Sequence, residues 1–145
     1  MTVTDALTAA IRAEDAAIFT YGVLTAFTRN DVRSQVAVDI AAHRVLRRSL
    51  AESLTKAGGQ VPTPAAGYRL PQQVTDVRSA GSAAVRAEED AATAYRALVE
   101  QAESDQLRQT GVEGLTDSAV RAAYWRGVAG ISPTVVAVPG DPRIK

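Results

Sequence analysis

Three side chains of this sequence have the types and placement to do metal chemistry together. Glu14 closes the phrase Ala10-Ile11-Arg12-Ala13-Glu14, and Glu88 closes Ala84-Val85-Arg86-Ala87-Glu88, the same phrase 74 residues later. The match runs on through Ala17 and Ala91 to Tyr21 and Tyr95. His43 is the only histidine. Carboxylates and imidazole together are a ligand set that suits iron or manganese. Where a helical bundle holds two such ions, two helices each give a glutamate and the other two each give a Glu-x-x-His unit. The i, i+3 spacing matters because those positions share a helix face, which sets a bridging carboxylate beside an imidazole.

Glu14 and Glu88 stand where the single glutamates belong, and His43 fits the histidine of the first Glu-x-x-His. Three residues before it, however, is Ile40. Carried forward by the repeat offset, His43 falls on Asp117 and Ile40 on Gly114. Both bridging carboxylates are therefore missing. Asp39 and Glu113, one position earlier, are turned by about 100° around a helix of 3.6 residues per turn and are poor substitutes. The quartet Glu14, His43, Glu88 and Asp117 could hold one divalent ion. The competing reading is a buried hydrogen-bonded core, with a protonated His43 between the carboxylates and Tyr21 or Tyr95 donating. A buried carboxylate is costly unless paired, and the missing bridges favour the hydrogen-bonded core.

These residues need four helices to position them. Thr2 or Thr4 can cap a first helix, whose stripe runs Leu7, Ala10/Ile11, Ala17/Ile18, Tyr21, Leu24, with Glu14 inside it. Asn30-Asp31 offers a new start. A second stripe, Val32, Val36, Ile40, His43, Leu46, Leu50, Leu54, ends at Gly58-Gly59. The segment GGQVPTPAAGYRLP, residues 58–71, cannot be helical. Its length suits a crossover along the bundle, pinned by Val61, Tyr68 and Leu70. A third helix starts near Thr75-Asp76 and faces inward through Ala80/Ala84, Glu88, Ala91/Ala92, Tyr95 and Leu98. The fourth starts at Ser104-Asp105 and reaches Trp125. Gly111 and Gly114 weaken it by roughly 1 kcal/mol each relative to alanine, so a kink or a break at Leu115–Ser118 is an open alternative. Gly127 and Gly130 end it, and 131–145 is a Pro/Val-rich tail.

Among the other polar residues, Arg12 and Arg86 are expected to flank the bundle and pair with surface acids, because residues two apart do not face one another on a helix. Arg44, Arg47 and Arg48 form a basic patch on the second helix, too small to argue for nucleic acid. Trp125 reads as a plug at the end of the core. With Tyr124 and the tail's Val-Val-Ala-Val it could instead make a partner surface.

Composition narrows the function classes. There is no cysteine, so thiolate metal sites, disulfides and cysteine nucleophiles are excluded. Sixteen basic and sixteen acidic residues balance, which gives no charge excess for a nucleic-acid partner. No apolar run approaches the roughly 18 residues a membrane span needs, and the N-terminus lacks a secretory pattern. A cytoplasmic protein is expected. No phosphate-binding glycine loop and no Ser/His/Asp set is recognisable.

The elements AEDAAIFTYGV, AAHRVLRRSLAESL, AEEDAATAYRALVEQA and SAVRAAYWRG, joined by the Pro-rich crossover, resemble an alanine-rich actinobacterial ferritin-like domain of unknown function over residues 5 to 128. The resemblance implies an all-α, ferritin-like four-helix bundle, two helical hairpins joined by a long crossover loop, over residues 1–130. It supplies no substrate. The departures at Ile40, Gly114 and Asp117 put iron oxidation and storage in doubt. The expected role is a non-catalytic scaffold or interaction protein with a degenerate di-iron site. It is expected to be a homodimer with no cofactor, no nucleic-acid or membrane partner, and an unidentified protein partner open. The alternatives are a metal-binding oxidoreductase or iron-handling protein with one iron or manganese ion on Glu14, His43, Glu88 and Asp117, and a small-ligand carrier or sensor.

Overall fold

The computed structural model describes residues 1–144. Its elements are α1 (Val3–Leu24), a 3-10 turn (Thr25–Phe27), α2 (Asn30–Lys56), α3 (Val77–Gln101) and α4 (Asp105–Ala129). Side-chain caps fix three of the helix starts; α2 begins after Arg29 without one. Thr2 caps α1 in a reciprocal box with Asp5, its hydroxyl accepting from the Asp5 amide at 3.2 Å and its own amide donating to the Asp5 carboxylate at 2.9 Å. Asp76 and Ser79 repeat the device at α3, and Ser104 caps α4. Gly130, in the left-handed region at φ 68°, closes α4.

The four helices pack around two apolar clusters stacked along the bundle. One holds Tyr21, Leu24, Val36, Ala84 and Trp125; the other holds Leu7, Ile11, Leu50, Leu54, Tyr95 and Leu98. Between them lies a polar layer. The linker from 57 to 76 contains no helix or strand and runs along the outside. Tyr68 stacks on Phe19 with ring centroids 5.4 Å apart, Leu70 packs against the core, and Val74 is buried. Val61 is the least engaged of the expected anchors, at 38% exposure.

α4 is continuous through both glycines, because tertiary packing supplies what their helix propensity lacks. Gly111 lies against Val99 and the Tyr95 carbonyl, and Gly81 of α3 lies against the Ala129 backbone. At Gly114 a Cβ would fall inside van der Waals contact of the Tyr95 ring. These glycines let α3 and α4 approach closely. Beyond α4, the tail returns over α3 and α4. Arg126 donates to the Pro133 carbonyl at 3.2 Å, and buried Asp141 lies 3.6 Å from Arg96 and 2.7 Å from Arg143. Among the described residues, no helix is long and apolar enough to cross a membrane.

Two glycine substitutions separate packing from propensity. Gly114→Ala should lower stability by about 1–3 kcal/mol through overpacking on Tyr95. Gly127→Ala, exposed and with nothing near its Cβ, should raise it by about 0.5–1 kcal/mol. Urea-unfolding midpoints of both variants measure the contrast.

Candidate functional site

The repeat is kept with a change of register between its two helices. Between α1 and α3 the offset is 74: buried Ala10, Glu14, Ala17, Tyr21 and Leu24 correspond to buried Ala84, Glu88, Ala91, Tyr95 and Leu98. Between α2 and α4 it is 75: buried Val36, Asp39, His43, Leu50 and Leu54 fall on buried Gly111, Gly114, Ser118, Trp125 and Ala129. The extra residue lies between Leu98 and Asp105, the counterparts of Leu24 and Asn30, so every α4 position is turned by about 100° relative to the 74-residue expectation. Asp117 is consequently exposed and stands apart from Glu14, His43 and Glu88. Ser118 is the partner of His43 in the repeat, and the bridging position opposite Ile40 is Leu115, not Gly114. Both bridging positions thus hold aliphatic side chains packed on the apolar clusters.

Glu14, His43 and Glu88 are brought together and are fully buried. The imidazole sits between the carboxylates, with Nδ1 2.6 Å from Glu14 Oε2 and Nε2 2.8 Å from Glu88 Oε1. A carboxylate only accepts, so both ring nitrogens donate and the ring is an imidazolium. Tyr95 donates to Glu14 Oε1 at 2.7 Å, and Tyr21 to Glu88 Oε1 at 2.6 Å. Each tyrosine lies two helical turns beyond its own glutamate and bonds the other half's glutamate, which fixes α1 and α3 as an antiparallel pair. From α4, Arg121 Nε donates to Glu88 Oε1 at 3.0 Å. The cluster is two carboxylates matched by two cations, with no net charge.

The electrostatics follow. Burial opposes a charge on His43, but the hydrogen bonds to Glu14 and Glu88 outweigh it and raise the pKa from 6.5 to about 9. Burial would raise the pKa of Glu88; its bond from His43 and the nearby charges of His43 and Arg121 hold it below the ordinary value instead. Burial, then the adjacent carboxylate, keeps Tyr21 and Tyr95 protonated donors.

The neighbours differ from the sequence expectation in two places. Asp39 is buried, accepting from Trp125 Nε1 at 2.9 Å and from Gln35 at 2.8 Å, so Trp125 is tied to a carboxylate as well as plugging the core. Arg47 leaves the supposed patch to pair with buried Asp15. Arg86, as expected, flanks the bundle and pairs with a surface acid, Asp90 on its own helix, at 3.1 Å. Arg121 and Ser118 escaped the sequence reading. The signal was the α4 stripe Gly111, Gly114, Ser118, Ala122, Trp125, whose residues before Trp125 are too small to mark an apolar face.

The carboxylate-bridged metal pair implied by the ferritin-like resemblance does not fit these residues. Both imidazole nitrogens point N–H bonds at carboxylates, both Glu14 oxygens are engaged, and Glu88 Oε1 accepts from three donors. Only Glu88 Oε2 is left free of a partner, with Ser118 Oγ and Arg121 Nη2 the other unpartnered buried side-chain atoms among the described residues. The Arg121 guanidinium occupies the place where a cation's charge would be useful. Among the described residues, no group of three or more His, Asp and Glu side chains is arranged to hold a metal ion.

A family model described as a domain of unknown function, DUF4439, matches residues 6–143. Two solved structures share the fold. A conserved hypothetical protein from Mycobacterium tuberculosis is 40% identical, superposes with a TM-score of 0.84, and is matched over 87% of this chain and 96% of its own. A ferritin-like, diiron-carboxylate protein from Bacillus anthracis str. Ames is 20% identical, with a TM-score of 0.70 over 88% of this chain and 94% of its own. The architecture is thus a ferritin-like four-helix bundle. No curated protein matches the chain.

The raised pKa of His43 makes stability depend on pH in a stated direction. A group that holds its proton more tightly when folded contributes fully below its unfolded pKa of 6.5 and ceases to contribute as pH rises through about 9. The wild-type unfolding free energy should therefore fall between pH 6.5 and pH 9.5, by up to about 3 kcal/mol from this group. The fall should be absent in His43→Ala, itself destabilised by about 3–5 kcal/mol because two carboxylates lose their shared partner. NMR titration of the His43 ring gives the folded pKa directly.

Proposed function

The chain belongs to the DUF4439 family of ferritin-like domains of unknown function, and from that premise we propose that it is a non-catalytic binding or scaffold protein in which an ion-pair cluster does the structural work of a metal centre. One observation carries the reading: the imidazole of His43 is hydrogen-bonded through both nitrogens to Glu14 and Glu88. A histidine held in this way has no lone pair for a metal. Arg121 supports the same reading, since it balances the second carboxylate. The aliphatic residues at 40 and 115 support it too, because a carboxylate-bridged pair needs glutamates there.

A scaffold works through its surface. Val38 and Val45, two turns apart on one face of α2, are 61% and 64% exposed, and this face suits association with a second copy, the homodimer expected from the sequence.

Elemental analysis of protein purified without chelator or added metal tests the proposal. Substoichiometric iron and manganese, and no rise in melting temperature when either ion is added, are the expected results. Two equivalents of metal per chain with oxidase activity would overturn it. One equivalent that disappears in His43→Ala would favour the single-metal alternative instead. Sedimentation velocity of the same protein tests the dimer, which should give way to monomer in Val38→Lys/Val45→Lys.

A further inference from the structure

Between α3, α4 and the C-terminal strap lies a cavity of about 60 Å³. Its walls are apolar, with Ala92 on α3, Ala119 and Ala122 on α4, and Val135 and Val136 on the strap. Glu88 also lines it and is the one fully buried charged residue to do so. Three donors hold Oε1 of that carboxylate, from α1, α2 and α4. Oε2 is buried and has no protein partner. A buried carboxylate oxygen calls for a donor, and the cavity that Glu88 lines is where a donor from outside the chain can come from.

Charge narrows the chemistry of that donor. Glu14 and Glu88 are already matched by His43 and Arg121. An ammonium placed in the cavity would be a buried charge without a counter-charge, which is costly. The donor is therefore neutral. Size narrows it further. The volume is about four to six times the roughly 10–15 Å³ that one water needs on the same measure, so the occupant has only a few heavy atoms. Apolar walls ask for an alkyl body.

We propose that this cavity is a binding site for a small neutral molecule bearing a hydroxyl or primary amide on a short alkyl body, its O–H or N–H donating to Glu88 Oε2. The partly exposed ion pair of Arg126 with Glu89 belongs to the same lining. Arg126 also holds the Pro133 carbonyl, so this pair links the cavity to the strap.

Titration of the full chain with 2-propanol and with acetamide, followed by alanine-methyl NMR, tests the site. Saturable shifts confined to Ala92, Ala119, Ala122 and their neighbours are expected. Acetone, which has the shape of 2-propanol but no donor, should bind about tenfold or more weakly, since the hydrogen bond to a charged group is lost. Isopropylammonium should also bind at least about tenfold more weakly, because of its uncompensated charge. Shifts that rise linearly without saturation, the outcome if only water enters the cavity, would overturn the site. Acetone binding as well as 2-propanol would overturn the role of Glu88 Oε2, and tighter binding of the ammonium would overturn the neutral class. Ala119→Leu should fill the cavity and abolish the saturable shifts. The ligand comparisons use unmodified protein and decide the matter whether or not that variant folds.

Discussion

One imidazole must serve two buried carboxylates, and the rest of the molecule is arranged around that constraint. A bundle built by duplication presents one glutamate from each half to its axis, yet the only histidine comes from the first half. The approximate two-fold symmetry is therefore broken in the polar layer. On the α2 side the cluster receives a charged ring bonded to both glutamates. On the α4 side it receives Arg121, bonded to Glu88 alone, and the small hydroxyl of Ser118. Glu88 accordingly carries more of the donors than Glu14, and only one of its oxygens takes them.

A layer of this kind is expensive to bury one group at a time and tolerable only as a set. Removing a single partner from a buried ion pair leaves an uncompensated charge, whereas the complete set is close to neutral. The tyrosines extend the same logic, since each phenol is pinned by the carboxylate it satisfies. Trp125 and Asp39 add a second buried polar contact one layer away. The apolar clusters above and below supply the burial, and the polar layer sets the register in which they meet.

Much of this was legible in the sequence, and the reasons are local. Helix starts at Thr2, Asp76 and Ser104 follow from capping chemistry. The inward placement of Glu14, His43 and Glu88 follows from their positions in apolar stripes. Both tyrosines were candidate donors because they recur at a fixed distance from the glutamates. What escaped was the phase of α4. One additional residue between Leu98 and Asp105 is invisible to a repeat read from α1 and α3, and α4 has too few large apolar residues to announce its own inward face. Asp117 was misplaced and Arg121 overlooked for that single reason. The fate of Asp39 was hidden differently, because a buried aspartate is acceptable only once Trp125, 86 residues away, is known to reach it.

The crosswise tyrosine bonds also bear on how the chain folds. Within each hairpin a glutamate finds one charged neighbour, His43 for Glu14 and Arg121 for Glu88. Its phenol comes from the other hairpin, 81 residues away in one case and 67 in the other. A hairpin formed alone would bury a carboxylate with its hydrogen bonding incomplete, so half-assembled states are penalised at their centre. Local helix formation can begin in either half, but the gain arrives only when both are docked. A duplicated architecture, which could have folded as two units, is thereby bound into one cooperative transition.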